Sequence, residues 1–335
     1  ALAKLRTVRE LRRENLAARH GGYRQEAMVK GISNAWQTLE TQIAQVAPSQ
    51  APVLIQGETG SGKEVVARLL HAQSHRAQGP CIAVNCGAVS RELLESELFG
   101  YEKGAFTGAT TAKPGLIGAA EGGSLFLDEV GEMPGPMQVS LLRFLDRNEF
   151  RPVGSTRTLR ADVRIICATN RDLQELVFQG RFRDDLLYRI NTVTLRVPPL
   201  RERPEDIPGL VEHILHNLRL PGTTARTPTP EGLAHLASYR WPGNVRELRN
   251  VIERLVLMSP QTGPITGEEV LQVLPRSSTT IVAEDQSQLP LEEIERLHIE
   301  RVLQACGGNK TKTAHTLQID YKTLLAKLKK YESGH

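Results

Sequence analysis

The sequence predicts an α/β fold: a parallel-sheet domain built on a phosphate-binding loop, followed by a small helical domain and then by an all-α helix-turn-helix unit. Three observations predict it. Short β-rich runs alternate with helical stretches from Pro52 to Pro198, as parallel strands joined by helical crossovers do. The first run leads into Gly57-Glu58-Thr59-Gly60-Ser61-Gly62-Lys63, a glycine-rich turn that ends in lysine at a helix start. Beyond Pro204 the periodicity is helical only, through Leu274 and again from Leu291 to Tyr331.

Residues 1–20 carry six Lys or Arg against two acids, with Leu2, Leu5, Val8 and Leu11 at three-residue steps. That spacing makes one apolar helical stripe. The chain starts without methionine inside this pattern, so residues 1–27 read as the exit helix of an upstream domain or as a frayed terminal helix. The sheet domain is expected over 28–203, with strands at Val53 to Gln56, Cys81 to Val84, Ser124 to Leu127, Val163 to Ala168 and Thr192 to Val197. A helix from Glu64 to His71 follows the glycine-rich turn, and the turn-rich run from Pro198 to Pro204 closes the domain. A helical domain is expected over 204–274. Residues 275–290, rich in Ser, Thr, Gln and Pro, read as a linker. The last unit, 291–335, holds helices at Leu291 to Ala305, Lys310 to Leu317 and Tyr321 to Tyr331, with turns at Gly307-Gly308-Asn309 and Gln318-Ile319-Asp320.

At 335 residues the chain is long enough for two or three domains with buried cores. No apolar run reaches the length of a membrane span and no secretory signal precedes the fold, so a cytoplasmic protein is expected. Four cysteines, at 81, 86, 167 and 306, lack paired CxxC spacing and read as reduced core thiols, which argues against zinc. The net charge of +4 is too small to prove nucleic-acid binding, but it is uneven. Between Asn309 and Tyr331 there are six lysines and one acid, an excess that favours phosphate contact.

In the glycine-rich turn, backbone N–H groups wrap phosphates, the helix N-terminus adds positive potential, and Lys63 reaches the β and γ phosphates. The Ser or Thr that usually follows the lysine is Glu64. Magnesium must then lean on Asp128, at the end of the third strand, with Glu129 placed to orient or activate water. Between these two sites lies Gly104-Ala105-Phe106-Thr107-Gly108-Ala109. Two small-residue pairs around one aromatic suit a flexible, exposed loop that presents Phe106 and Thr107 to a partner; an ordinary glycine-rich surface turn is the plainer reading.

These residues resemble the bacterial enhancer-binding proteins, the AAA+ transcription activators that work with sigma-54 RNA polymerase. The resemblance runs from about Val29 to Tyr331. The 104–109 run matches the family's GAFTGA signature, whose loop contacts sigma-54, and Glu64 matches the glutamate the family commonly carries after its lysine. The resemblance makes Asn85 the partner of the catalytic glutamate, linking nucleotide state to loop position. It makes Asn170 a polar sensor of the γ-phosphate or attacking water. Arg183 and Arg189 become arginines that reach a neighbouring subunit's nucleotide. Arg246, in Trp241-Pro242-Gly243-Asn244-Val245-Arg246, becomes a phosphate contact from the helical lid, with Asn244 read as the helix cap. Plainer readings are strand-end turns for the asparagines and local pairing with Asp184, Asp185 or other acids on a solvated helix for the arginines. The family's apolar pair before Gly31 is here Val29-Lys30, so the adenine side fits less well.

The last unit resembles the Fis-type DNA-binding domain, which places Tyr321, Lys322, Thr323 and Lys327 on a recognition helix and Lys310 and Lys312 against the backbone. A basic dimerisation module is the alternative. The glycine often found in its turn is here Gln318. Together the resemblance implies an ATPase using ATP and Mg2+, bound to upstream enhancer DNA. It would form a ring, expected as a hexamer with a resting dimer open, and drive the 104–109 loop against sigma-54 RNA polymerase. The parent protein is expected to be a response regulator of a two-component system, with a small-molecule sensor domain as the alternative. A DNA-binding regulator without polymerase remodelling and an AAA+ remodeller of another protein are the rival readings.

Overall fold

The computed structural model describes residues 31–88, 91–218, 226–258, 263–275, 290–305 and 310–332. The helix expected in 1–27, the Val29-Lys30 pair, most of the linker, Cys306 and the turn at 307–309 lie outside them. The chain divides into two compact units, Ala1–Leu274 and Pro275–His335.

The first unit is organised on a five-stranded parallel sheet: β1 (Val53–Gln56), β2 (Cys81–Asn85), β3 (Ser124–Asp128), β4 (Arg164–Thr169) and β5 (Val193–Arg196), in the order β2-β3-β4-β1-β5. Every strand lies within a residue of its predicted bounds. The residual shifts arise because ladder hydrogen bonds, more than side-chain character, decide where pairing stops. Thus Asn85 and Asp128 are still paired across β2 and β3, although neither is apolar.

Side chains alternate between two cores. Leu54, Leu125, Leu127, Ile165 and Cys167 face one. Val53, Ile55, Phe126, Ile166 and Ala168 face the other. With both faces covered, the strands read as unbroken apolar runs, and each fully buried Leu or Ile contributes roughly 1.5–3 kcal/mol. Helices α1 (Asn34–Val46) and α2 (Lys63–Ala72) pack on the second core; α3 (Arg91–Phe99) and α4 (Gly135–Arg147) pack on the first, followed in the chain by α5 (Leu173–Phe178) and α6 (Asp184–Ile190). Buried Arg164 sits under the sheet, where its guanidinium donates to the carbonyls of Ala47 (2.5 Å) and Val46 (3.0 Å) and closes the C-terminus of α1.

The lid consists of α7 (Ile207–Asn217), α8 (Pro230–Ser238), α9 (Asn244–Met258) and α10 (Gly267–Val273). They close on fully buried Trp241, whose indole N–H donates to the Leu236 carbonyl at 2.8 Å. Caps fix the helix starts: Thr229 accepts from Gly232 N–H, and Thr266 with Glu269 forms a reciprocal capping box.

In the second unit, α11 (Leu291–Ala305), α12 (Lys310–Thr316) and α13 (Tyr321–Glu332) pack around Ile299, Ala314 and Leu324. Gln318 takes the left-handed conformation (φ 54°) in the turn between α12 and α13, the geometry for which glycine is the unstrained choice.

Candidate nucleotide site and output loop

The phosphate loop leaves β1 at the C-terminal edge of the sheet, where ligands of open α/β folds bind. Gly57 N–H donates to the Thr169 carbonyl of β4 at 3.2 Å, and Gly62 takes φ 106° immediately before α2. Lys63 bends back so that its ammonium donates to the carbonyls of Gly57 (2.8 Å) and Glu58 (3.0 Å). Burial pulls the Lys63 ammonium below its ordinary range; Asp128 and Glu129 oppose that pull, and Arg246 adds to it. The sequence-predicted lysine, both carboxylates and the lid arginine therefore share one electrostatic neighbourhood.

Asp128 ends β3 and accepts from Glu129 N–H at 3.0 Å. Burial raises its carboxyl above the ordinary range, with Lys63 acting in the opposite sense. Glu129 follows in the left-handed conformation (φ 53°) and turns the chain into Val130–Glu132. That conformation costs a non-glycine residue on the order of 1–3 kcal/mol and is characteristic of functional turns. It lays the carboxylate over Gly87, where an added Cβ would stand 2.6 Å from Glu129 Oε2. Asn85 accepts from Gly87 N–H at 2.8 Å. The asparagine makes a local turn here, and the Asn85 and Glu129 side chains face each other across Gly87.

Asn170 reaches the loop directly, its amide donating to Thr59 Oγ1 at 3.0 Å. Glu64 is exposed and pairs with Arg68 at 2.8 Å along α2. The Glu58 side chain turns to Arg201, which donates to both carboxylate oxygens at 2.9 and 2.7 Å and draws its pKa down.

The lid sits on the loop. Val245 N–H donates to the Gly60 carbonyl at 3.1 Å, and a Cβ on Gly60 (φ 75°) would come 2.4 Å from the Gly243 carbonyl and 2.9 Å from Arg246 Cβ. Asn244 does not cap its own helix. It takes φ 55°, and its amide donates to Glu58 Oε2 (3.0 Å) and the Thr59 carbonyl (3.2 Å) while its oxygen accepts from Leu200 N–H (2.7 Å). Glu247 instead reaches back to Gly243 N–H at 2.8 Å, and Asn244 is left to bridge.

Sequence reasoning missed the neighbouring pocket. Arg203 is buried, donates to the Ser61 carbonyl at 2.6 Å and lies 4.8 Å from the Trp36 ring centre. Asp206 accepts from Ile32 N–H, Ser33 N–H and Ser33 Oγ at 2.6, 2.8 and 2.9 Å, fixing the start of α1. Trp36, Gly62, Val65, Leu210 and Ile214 supply further walls. A slot beside a phosphate loop that sets apolar walls against polar side chains suits a nucleotide base. The signal was present in Arg203-Pro204-Glu205-Asp206, but its partners lie far away in sequence.

Arg183 and Arg189 are exposed and locally paired. Arg183 donates to both oxygens of Asp185 at 2.9 and 2.6 Å, and Arg189 pairs with Asp146 at 3.2 Å and donates to the Leu145 carbonyl at 3.0 Å. Within one chain the plainer reading of these arginines is the one observed.

The 104–109 loop tops a hairpin, Gly100–Tyr101 against Lys113–Pro114, inserted between α3 and β3. Phe106 is 44% exposed and stacks edge-on against Tyr101 with ring centres 5.0 Å apart; Thr107 is exposed too. One expectation, an exposed Ala109, needs correction. Ala109 is buried, and the loop is closed on itself by Gly104 N–H to the Ala109 carbonyl (2.9 Å) and Ala109 N–H to the Phe106 carbonyl (3.0 Å). Gly104 (φ 86°) and Gly108 (φ 103°) make that closure possible. A second turn supports it: Gly154 lies under Ala105, and Glu102 N–H donates to the Val153 carbonyl at 3.1 Å.

In the second unit Lys310, Lys312, Tyr321, Lys322 and Thr323 are exposed. Lys327 departs from expectation: its ammonium bonds Glu295 of α11 at 2.7 Å. It sits on the side of α13 that faces its own unit. Asp320 fixes the start of α13 by accepting from Lys322 N–H at 2.8 Å. No helix among the described residues is long and apolar enough to cross a membrane.

Three family models match successive parts of the chain: the sigma-54 interaction domain over residues 29–196, the AAA+ ATPase lid domain over 201–286, and the bacterial regulatory protein Fis family over 290–331. The transcriptional regulatory protein ZraR of Klebsiella oxytoca is 49% identical over 305 residues, covering 89% of this chain and 68% of that protein. The response regulator protein PilR of Pseudomonas aeruginosa is 46% identical over 307 residues, covering 90% and 68%. The crystal structure of NtrX from Brucella abortus superimposes with a TM-score of 0.69 at 36% identity, covering 96% of this chain and 71% of that one. A structure of the same protein in complex with ATP gives 0.68 at 35% identity, over 96% and 72%. On the sheet order, the phosphate loop, the exposed Phe106-Thr107 loop and these matches, the chain belongs to the sigma-54-dependent bacterial enhancer-binding proteins, transcriptional regulators with an AAA+ domain and a Fis-type helix-turn-helix.

Proposed function

We propose that the chain hydrolyses ATP in a ring of identical subunits and uses that hydrolysis to remodel sigma-54 RNA polymerase for promoter opening, while its last unit holds upstream DNA. The observation that carries this reading is the convergence of Lys63, Asp128, Glu129, Asn170 and Arg246 around one phosphate loop. In it, Lys63 and the loop amides hold the triphosphate and the Trp36–Arg203 pocket takes the base. Glu129 orients and deprotonates the attacking water, and Arg246 approaches the phosphates from the lid. The complex of NtrX with ATP supports a nucleotide in this fold.

The residues fit magnesium of the kind that is shared with phosphates. Among the described residues no cluster of three His, Cys, Asp or Glu side chains could cage a metal. Asp128, however, is a carboxylate whose burial is incompletely balanced by Lys63, which suits one protein ligand with phosphate and water completing the shell. Bound there through Asp128, the ion would neutralise charge on the phosphates.

Arg183 and Arg189 act in trans in this reading, leaving Asp185 and Asp146 for the neighbouring subunit's phosphates. Phe106 and Thr107 contact sigma-54. Lys310 and Lys312 contact the DNA backbone, and Tyr321, Lys322 and Thr323 enter the groove. The division into 28–203, 204–274 and 291–335, a cytoplasmic setting and a receiver domain upstream belong to the same proposal.

The test is open-complex formation by purified protein with sigma-54 RNA polymerase on a promoter bearing upstream sites. Heparin-resistant complexes should form with ATP and not with a non-hydrolysable analogue. Equal yields with both would contradict coupling to hydrolysis.

A further inference from the structure

Glu58 poses an electrostatic problem: it places a carboxylate inside the loop that must offer positive potential to phosphates. Its surroundings answer that problem from two directions. Arg201 takes both oxygens, at 2.9 and 2.7 Å, and Asn244 donates to one of them at 3.0 Å. Arg201 lies in the single turn Leu200–Glu202 that leads from the sheet domain into the lid, and Asn244 opens the lid helix α9. Asn244 is wholly buried, with its remaining polar contacts going to the Thr59 carbonyl at 3.2 Å and Leu200 N–H at 2.7 Å. One side chain thus ties together the phosphate loop, the connecting turn and the lid. An asparagine tolerates the φ of 55° found here better than most residues do.

We propose that Arg201 and Asn244 are positioning residues that hold the Glu58 carboxylate toward the lid, keeping the phosphate loop receptive to nucleotide and its shape tied to lid position. The inference rests on the nucleotide-site reading above. Without Arg201 the carboxylate is uncompensated beside the phosphates. A unit charge in such a partly exposed place lowers nucleotide affinity roughly five- to twentyfold. A brace with no electrostatic role behaves differently: if Arg201 only stiffens the loop through Glu58, removing Glu58 as well restores nothing.

The experiment measures binding of a fluorescent ADP analogue, together with ATPase kinetics, for the full chain, Arg201→Met, Asn244→Ala, and Arg201→Met combined with Glu58→Gln. Arg201→Met is expected to raise Kd and KM roughly five- to twentyfold with kcat changed less than about twofold. Adding Glu58→Gln should return Kd to within about threefold of the parent. Asn244→Ala should raise Kd in the same direction. Unchanged Kd in Arg201→Met, or no recovery in the double variant, overturns the proposal. If Arg201→Met does not fold, Arg201→Gln takes its place, since it too removes the charge and keeps a polar side chain. A raised Kd restored by Glu58→Gln supports the proposal there, and any other result overturns it. An unsubstituted chain that binds no nucleotide overturns the nucleotide reading itself, and the positioning roles with it.

Discussion

Glu129 occupies a left-handed turn that no glycine relieves, and it is held there beside a half-buried aspartate and a buried lysine. In the proposed reaction its carboxylate handles water, so Glu129→Gln should bind ATP and release phosphate about 100-fold more slowly or worse. Near-normal turnover in a phosphate-release assay would remove it from that role. Asp128 carries a pH consequence. Its folded pKa lies above the ordinary 3.8, so the neutral form suits the fold better than the anion. Its stabilising contribution is complete below the unfolded value and is lost as pH rises through the folded one. Asp128→Asn should therefore melt higher than the parent at neutral pH, with the gap narrowing as pH falls toward 3.8; a lower Tm at pH 7 would contradict this. Lys63, Asp128 and Glu129 were legible in the sequence because the lysine ends a glycine-rich turn after one apolar strand and the two carboxylates close another. The partners of Glu58 were not, because Arg201 and Asn244 lie 143 and 186 residues away in sequence. Asn244 misled for a further reason: asparagine before a helix reads as a cap, and only the tertiary contacts redirect it.

The elements were more legible than the contacts between them. Five apolar runs gave five strands because both sheet faces are covered. What periodicity could not reveal is how the lid meets the phosphate loop. Gly60 carries that contact: its φ is 75° and a Cβ would strike the Gly243 carbonyl. Gly60→Ala should destabilise the first unit by about 1–3 kcal/mol, measured from the denaturation midpoint, and should weaken nucleotide binding as the lid is displaced. An unchanged midpoint with unchanged binding would contradict the packing described. The output loop teaches the same lesson. Its glycines serve to close a hydrogen-bonded turn, and its support from Gly154 joins segments some fifty residues apart.

For the whole molecule, the proposed function turns on how hydrolysis at the sheet edge would be converted to work at the tip of the 104–109 hairpin. In the proposed ring, assembly would enter through Arg183 and Arg189, whose exposed guanidiniums pair within one chain with Asp185 and Asp146. If they act in trans, Arg183→Ala and Lys63→Ala should each lose ATPase about 100-fold or more alone, and mixing them should restore part of it. No recovery on mixing would count against trans action. The sequence made the order of the parts plain, through the phosphate loop, the loop motif and the basic tail, but assembly leaves little trace in one chain's periodicity. Among all these measurements, Thr107→Ala tests the coupling most directly, with ATPase activity and open-complex formation by sigma-54 RNA polymerase read from the same preparation. The account predicts ATPase within about twofold of the parent and open complexes reduced at least about tenfold. Open complexes at the parent level would contradict it.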